Sequence, residues 1–333
     1  MESLETGFFL KNPVSLHQST NSMTVTTTTT EPRRNIFRGI SRRLMALAQN
    51  PVTMKELRGR MRGNRAFVIL TLHVTVMSGI VTLIYFGFAA AASNPYGPQP
   101  QYAGKAVFGA VTLIQAIMVL FIGPAATAGA ISGEKERQTY DILRTTLLSA
   151  EEFVGGKLLS SLSYVFLLVI ASIPLQSIAL LLGGIALSEI IISQLLILVA
   201  AIAYALLGLF ASSRLRSTLA ASVATYGTAI FFTIGVPGLL VLFAIFTNSF
   251  SSWFAEILMA FILVGLVSLN LPATLIMSEI VLLQEGTLWG FSQSTGGYTY
   301  WILSPWYINL IIFTLLALIL YKLTVRRVRR IPV

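Results

Sequence analysis

The chain alternates between long apolar runs and short polar connections. An α-helix needs about 20 consecutive apolar residues to cross the hydrocarbon core of a bilayer. Six runs reach that length, at about 66–92, 106–131, 154–182, 189–211, 218–246 and 300–322. The pattern therefore predicts an all-α membrane protein with six transmembrane helices, which are called spans one to six below.

Residues 253–298 are also apolar, but they contain no Lys or Arg. Basic residues favour the cytoplasmic side of a membrane protein. With cytoplasmic termini and 253–298 as an external or re-entrant pair of short helices, 22 of the 23 Lys and Arg residues are cytoplasmic and only Lys105 is external. A seventh crossing would move one basic terminal region outside, so six spans are predicted. Glu256 and Glu279 are interpreted as surface residues at head-group level, with gating of a cationic substrate as the alternative.

Several residues within the spans predict breaks or close packing. Pro174 is expected to kink span three, because its ring removes a helical hydrogen bond. The pair Gly183-Gly184 is expected to end that span, and Gly235 with Pro237 to interrupt span five. Small residues at four-residue spacing on span five permit close packing with a second protomer or within the protein's own bundle. These small residues are Ala220, Ala224 and Thr228.

Composition agrees with a membrane protein. Apolar residues make up 55% of the chain, whereas soluble domains have roughly 45–50% even with Gly counted. The absence of cysteine excludes disulfides and thiolate metal sites, and two histidines leave no room for a His-rich metal site. The net charge of +10 is placed at the flanks of the spans, which indicates membrane orientation and not a nucleic-acid partner.

The N-terminal region precedes the first span and divides in two. Residues 1–31 are rich in Ser and Thr and are predicted to be a disordered cytoplasmic tail. Residues 32–65 predict two basic amphipathic helices in the membrane interface, where arginines face anionic lipid head groups. A nucleic-acid-binding arm is the competing interpretation. The membrane-interface residues of the second helix are Arg58, Arg60, Arg62 and Arg65.

A charged segment, residues 132–157, connects spans two and three. Ser132 can cap a short helix whose first turn holds Glu134 and Glu136, where carboxylates suit the positive end of the helix dipole. Tyr140, Leu143 and Leu147 follow at helical spacing and would form one apolar face. Ser149 and Glu152 form a capping box that starts span three. The segment predicts an amphipathic helix over 132–148 with one face ready to dock, against a solvated loop as the alternative.

The same segment resembles the loop of ABC-2-type permeases, the membrane subunits of ABC exporters. It reads S-G-E-K-E-R-Q-T-Y-D-I-L-R-T-T-L-L-S-A-E-E-F-V-G-G-K, and the family pattern is roughly S-G-E-(K/R)-E-x-G-T-hydrophobic-(D/E)-x-L-x-x-(T/S)-P-L-S followed by G-K. Gln138 replaces the usual Gly and Leu147 the usual Pro, so the turn before span three is expected to differ in shape. The run N-P-V-T-M-K-E-L-R at 50–58 also resembles the family's elbow helix.

The resemblance implies that residues 132–148 are a coupling helix that docks on a separate ATPase subunit. Its partners would be two copies of an ATP-binding cassette ATPase, a second permease protomer (identical or related) and membrane lipid. ATP and Mg would bind the ATPase, and no cofactor would bind this chain. The protein would lie in the plasma membrane and move substrate outward. The implied ATPase-coupling residues are Ser132, Gly133, Glu134, Glu136, Arg137, Thr139, Tyr140, Asp141, Leu143 and Leu147.

Motifs for catalysis are missing from the sequence. G-G-K-L-L at 155–159 is not a P-loop, and no G-x-S-x-G motif occurs, so the chain is not expected to be an enzyme. Polar residues within apolar surroundings either line a pathway or, as we favour, form hydrogen bonds between helices. A non-transporting membrane scaffold or sensor that recruits an ATPase is the alternative function, and an independent channel is a third. The possible pathway residues are His73, Gln115, Gln176, Gln194 and Asn270.

Overall fold

The computed structural model describes residue 54 and residues 64–92, 100–140, 149–247, 253–295 and 297–330. The predicted tail 1–31 and most of the predicted interfacial helices, with Arg58, Arg60 and Arg62, lie outside these residues, and Arg65 falls in the first turn of α1. The helices are α1 Asn64–Ala92, α2 Pro100–Thr127, α3 Ser132–Glu136, α4 Ala150–Leu182, α5 Leu187–Arg214, α6 Thr218–Ile230, α7 Val236–Thr247, α8 Trp253–Ser268, α9 Leu271–Glu285 and α10 Pro305–Arg330. A π-helical segment, Phe231–Gly235, joins α6 to α7, and two strands, β1 Gly290–Thr295 and β2 Tyr298–Leu303, precede α10.

Among the described residues, six helical stretches are long and apolar enough to cross a membrane. In chain order they are spans one to six: α1, α2, α4, α5, the continuous stretch Thr218–Leu239 that runs from α6 into α7, and α10. Large apolar side chains on their outer surfaces are exposed, such as Leu83 at 72% and Leu181 at 84%. Such exposure is unfavourable in water and without cost in lipid. The prediction of a helical protein with the character of a multi-pass membrane protein is confirmed, and one two-stranded hairpin is added to it.

The central helix of the bundle is α5, which packs against α2, α4, α6 and α10. Small residues allow this close approach: Ala200, Ala201 and Ala203 are fully or almost fully buried. At Gly208, a methyl group would collide with the Thr127 hydroxyl of α2. The backbones of α2 and α5 therefore meet where only glycine fits.

Both ends of α4 follow from the sequence. The predicted capping box is present: Glu152 N donates to Ser149 Oγ at 3.2 Å, and Ser149 N donates to Glu152 Oε2 at 2.9 Å. At the other end, Gly183 has φ of 85° and Gly184 has φ of 84°. This left-handed region carries no steric penalty for glycine, so the helix ends here as predicted.

Span five contains the predicted interruption in the form of its π-helical segment. Asn270, the N-cap of α9, donates to the carbonyl oxygens of Phe232 at 3.1 Å and Thr233 at 2.8 Å. Its side-chain oxygen accepts from Ala273 N at 3.0 Å. Asn270 therefore satisfies backbone groups of two elements, in agreement with the favoured interpretation as a residue that forms hydrogen bonds between helices.

Several predicted boundaries are wrong for identifiable reasons. α2 begins at Pro100, before the predicted start of span two at 106, and gives way to turns at 128–131 instead of continuing to 131. Span six begins at Pro305 and not at 300, because residues 298–303 pair with 290–295 in an antiparallel hairpin. The short helices expected within 253–298 are present as α8 and α9. The hairpin was not predicted.

Two serines test the orientation of the bundle in a chain that has no cysteine. Ser294 is exposed on β1, and Ser217 is exposed just before α6. We expect Ser294→Cys to react with a membrane-impermeant maleimide in intact cells. Ser217→Cys is expected to react only after permeabilisation, since Arg214 and Arg216 flank it. Labelling of Ser217→Cys in intact cells would contradict the six-span orientation.

Candidate functional site: the junction of spans two to five

The charged segment after α2 bends back on itself within a few residues. α3 covers only Ser132–Glu136, and a turn at Arg137 and Gln138 follows it. Gln138 has φ of 58°, the left-handed region that glycine adopts without strain. This is the position where the family pattern has Gly. The prediction of one continuous helix over 132–148 is wrong, because this backbone conformation ends α3, and Asp141, Leu143 and Leu147 lie outside the described residues.

Ser132 does not cap α3. Its own backbone is helical, and the N-cap position is Ile131, which makes no side-chain cap bond. The backbone N–H groups of Ile131 and Ser132 instead donate to Ser212 Oγ, at 2.9 and 2.8 Å. A residue of span four thus accepts hydrogen bonds from the first backbone N–H groups of α3. The prediction that Ser132 caps this helix is wrong.

Lys135 caps the C-terminal end of α5, the helix that contains Ser212. Its Nζ donates to three carbonyl oxygens, those of Ser212 at 3.3 Å, Ser213 at 2.6 Å and Leu215 at 3.3 Å. The last carbonyls of a helix have no partner within the helix and carry its negative dipole end. An ammonium group at this place satisfies both requirements.

Glu136 caps the N-terminal end of the next helix, α6. The N-cap residue Ser217 makes no side-chain cap bond, and the Glu136 carboxylate accepts from the backbone N–H of Thr218 at 2.8 Å. The Thr218 hydroxyl donates to the other carboxylate oxygen at 3.0 Å. A carboxylate at a helix N-terminus is favourable for the same reasons of dipole and orphan donors.

Glu134 reaches span three. Its Oε1 lies 3.4 Å from the Nζ of Lys157 in α4, and the Thr139 hydroxyl donates to its Oε2. Lys157 is 4% exposed and Glu134 is 30% exposed. A buried ammonium group is costly unless a carboxylate faces it. This pair therefore ties α3 to the first turns of span three.

Tyr140 lies in the protein's own core. It is 5% exposed, and its ring meets that of Phe153 edge to face at 6.3 Å between centroids. The prediction that Tyr140 belongs to a free docking face is wrong, because the turn at Gln138 redirects the chain towards span three. Within residues 131–140, the exposed side chains are Glu136, Arg137 and Gln138.

Together these contacts form one unit, which we call the junction and define as residues 131–140 with Lys157, Ser212 and Thr218. It connects the ends of α2, α4, α5 and α6. Sequence reasoning missed Ser212 and Thr218. The run S-S-R-L-R-S-T between spans four and five was the available signal, since it holds short hydroxyl side chains at two helix ends.

The polar residues predicted inside the spans also meet one another. Gln115 Oε1 accepts from Gln176 Nε2 and from Gln194 Nε2, each at 3.0 Å, and so links α2, α4 and α5. His73 Nε2 lies 2.9 Å from Ser172 Oγ, and its Nδ1 lies 3.0 Å from the sulfur of Met118. These contacts favour the interpretation as hydrogen bonds between helices.

The two glutamates of 253–298 have different surroundings. Glu256 is exposed on α8, in agreement with a surface residue. Glu279 on α9 is partly buried and lines a cavity with Glu189 of α5, so the surface interpretation fails for it. Burial, together with the nearby Glu189 carboxyl, raises the pKa of the Glu279 carboxyl to about 7, against the opposing effect of Lys105.

The ion pair of the junction predicts a non-additive stability effect. Glu134→Gln and Lys157→Met should each lower the stability of the purified protein by about 1–3 kcal/mol, because a partly buried charged group loses its opposite charge. The double variant should be less destabilised than the sum of the two by about 1 kcal/mol. Thermal unfolding in detergent measures all three.

The control pair is Glu151 and Arg329, whose charged atoms lie 3.5 Å apart and whose side chains are 65% and 69% exposed. Water screens such a pair, so Glu151→Gln should change the melting temperature far less. Additive effects of Glu134→Gln and Lys157→Met would mean that the two side chains do not stabilise each other.

Comparison with protein-family models finds no match, and neither does comparison with curated proteins. The resemblance of residues 132–157 to the permease loop stays a prediction from the sequence. The six apolar helices and the contacts of the junction are the findings on which a function can be argued.

Proposed function

We propose that the protein is the membrane-spanning permease subunit of an ATP-binding cassette transporter. It moves substrate outward across the plasma membrane, and a separate ATPase subunit hydrolyses the ATP. Six apolar helices support this proposal, as does the S-G-E-K-E resemblance. The basic residues at the flanks of the spans support cytoplasmic termini, which place the junction on the side where ATP is available.

The observation that carries the proposal is that one short segment holds the ends of four spans. Arg137 and Gln138 are exposed at its tip, where an ATPase can contact it. When the tip is displaced, the force acts on three contacts between the junction and the spans. They are the hydrogen bond between Lys135 and span four, the hydrogen bond between Glu136 and span five, and the ion pair of Glu134 with Lys157 in span three. Motion of the ATPase would therefore reach several spans at once, which is the differential contact that coupling requires.

The partners follow from the same proposal. Two ATPase copies bind ATP and Mg, and each contacts the junction of one permease protomer. The face of α6 that carries Ala220 and Ala224 is exposed, and small residues there suit close packing with a second protomer. Membrane lipid covers the remaining apolar surface, and the proposal includes no nucleic-acid partner.

The second candidate function is a membrane scaffold that recruits an ATPase through the same tip and transports nothing. It rests on the same exposed residues, Arg137 and Gln138. It differs from the permease in one respect: the contacts between the junction and the spans would not affect ATP hydrolysis.

The test uses co-expression with an ATPase encoded by a neighbouring gene and reconstitution in liposomes. Arg137→Glu changes the exposed tip, and we expect it to lower co-purification of the ATPase about tenfold, a loss of about 1.4 kcal/mol. The combination Glu134→Gln with Lys157→Met leaves the tip in place and should retain co-purification. It should reduce stimulation of ATP hydrolysis by the permease, because the tip is then less firmly tied to span three.

Arg326→Glu is the matched control, an exposed Arg reversed on α10 outside residues 131–140. It should behave as the unaltered protein. If every variant co-purifies with the ATPase and stimulates ATP hydrolysis as the unaltered protein does, residues 132–140 only connect two spans. The permease proposal would then lose its support. Co-purification without ATP-dependent flux would favour the scaffold, and flux without ATP would favour a channel.

A further inference from the structure

A cavity of about 220 Å³ lies between α2, α5, α9 and the start of α10. It is near the beginning of α5, whereas the junction is at the end of α5. Its wall is mostly apolar and includes Phe108, Leu196, Leu275 and Trp306. An apolar cavity of about 150 Å³ can hold a benzene molecule, so this one has room for a ring with a short chain.

Polar atoms without partners converge on the cavity. Among the described residues, the buried oxygens Thr112 Oγ1 and Ser278 Oγ make no hydrogen bond, and Glu189 Oε2 and Glu279 Oε1 have no donor other than a proton that their two carboxyl groups can share. Thr112 is 2% exposed and Glu189 is 9% exposed. Buried polar atoms nearly always have a partner, because a missing one costs about 1–3 kcal/mol. Oxygens from three helices therefore indicate a ligand that donates hydrogen bonds.

The charges around the cavity are unequal. Glu189 and Glu279 contribute two carboxyl groups, and Lys105 of α2 contributes one ammonium group that acts on Glu279. One oxygen of Glu189 is held by the backbone N–H of Ala186 at 2.7 Å, which leaves the other for the cavity. When both carboxyls are ionised, the site carries one net negative charge. A positive ligand is favoured, since a buried carboxylate is stable only when it is paired.

We propose that this cavity binds the head of an amphiphilic organic cation, an ammonium group attached to an aromatic or short alkyl body. The ammonium donates to Glu189, Glu279 and Thr112, and the apolar body contacts Leu196 and Trp306. A divalent metal ion fits poorly, since it requires about six oxygen ligands and this wall is mostly apolar. Binding does not depend on the ATPase. That the cation is also transported rests on the proposed function.

The test compares 4-phenylbutylammonium with the neutral 4-phenylbutanol by calorimetry, on the full chain in phosphatidylcholine nanodiscs. We expect Glu279→Gln to weaken binding of the ammonium probe about tenfold, because a charge-assisted hydrogen bond is lost. The alcohol should bind both forms alike. Glu256→Gln, an exposed carboxyl on the neighbouring α8, is the matched control and should leave both probes unaffected.

The pH dependence gives a second readout. Because Glu279 has a pKa of about 7, its carboxyl is mostly protonated at about pH 6 and mostly ionised at about pH 8. Affinity for the ammonium probe should therefore rise several-fold between these two pH values, and Glu279→Gln should remove most of the rise. Lys105 and Glu189, which also face Glu279, are the other charged groups that contribute.

Three results would overturn the proposal. The first is that Glu279→Gln and the unaltered protein bind the ammonium probe with equal affinity. The second is that the unaltered protein binds the ammonium probe and the alcohol equally at every pH. The third is that the unaltered protein binds neither probe. If Glu279→Gln does not fold, it will bind neither the ammonium probe nor the alcohol. The test then uses the pH dependence of ammonium binding by the unaltered protein, together with the affinity of Thr112→Val for the ammonium probe. Loss of cation binding with intact ATPase coupling would leave the proposed function in place.

Discussion

Helix ends are the constraint on which this structure depends. A helix leaves its first N–H groups and its last C=O groups without partners, and a bundle of spans collects many such ends in one layer. Here a single short segment supplies the missing partners. Lys135 binds the last carbonyls of span four, Glu136 binds the first amide of span five, and Ser212 binds the first amides of α3. The charged residues of S-G-E-K-E therefore serve first as hydrogen-bond partners for the protein's own helix ends.

This structural role and the proposed coupling role support each other. A segment that only docked on a partner would transmit little force, because its own connection to the spans would be soft. The buried Lys157 and the half-buried Glu134 make that connection stiff at span three. At the other end of α5, Thr112 Oγ1 and Ser278 Oγ have no such partner among the described residues. One end of the bundle is suited to carrying force and the other to binding a ligand.

The sequence predicted the elements that depend on local patterns. Hydropathy alone gave the six spans, Ser149 with Glu152 gave the start of α4, and Gly183 gave its end, because each is decided within a few residues. Tyr140 was misplaced because its position depends on the left-handed turn at Gln138, and nothing in a helical spacing pattern reveals such a turn.

Contacts between distant residues could not be predicted in the same way. The meeting of Gln115 with Gln176 and Gln194 depends on how three helices are rotated about their axes. Residues 300–303 were assigned to span six because Y-W-I-L is as apolar as a helix start. Only the pairing with residues 290–295 distinguishes a strand from a helix there.

Under the proposed function, α3 and span five, which are joined through Glu136 and Thr218, move as one body when the ATPase acts. A Cβ at Gly133 would lie 3.6 Å from Thr218 Cγ2, so cysteine side chains at these two positions would be in contact. In this chain without cysteine, Gly133→Cys with Thr218→Cys gives one defined cross-link. The account predicts that the cross-link forms under mild oxidation and that ATP-driven activity of the reconstituted complex is the same before and after reduction. Activity that is lost on oxidation and restored by reduction would show that α3 must separate from span five, and would contradict the account.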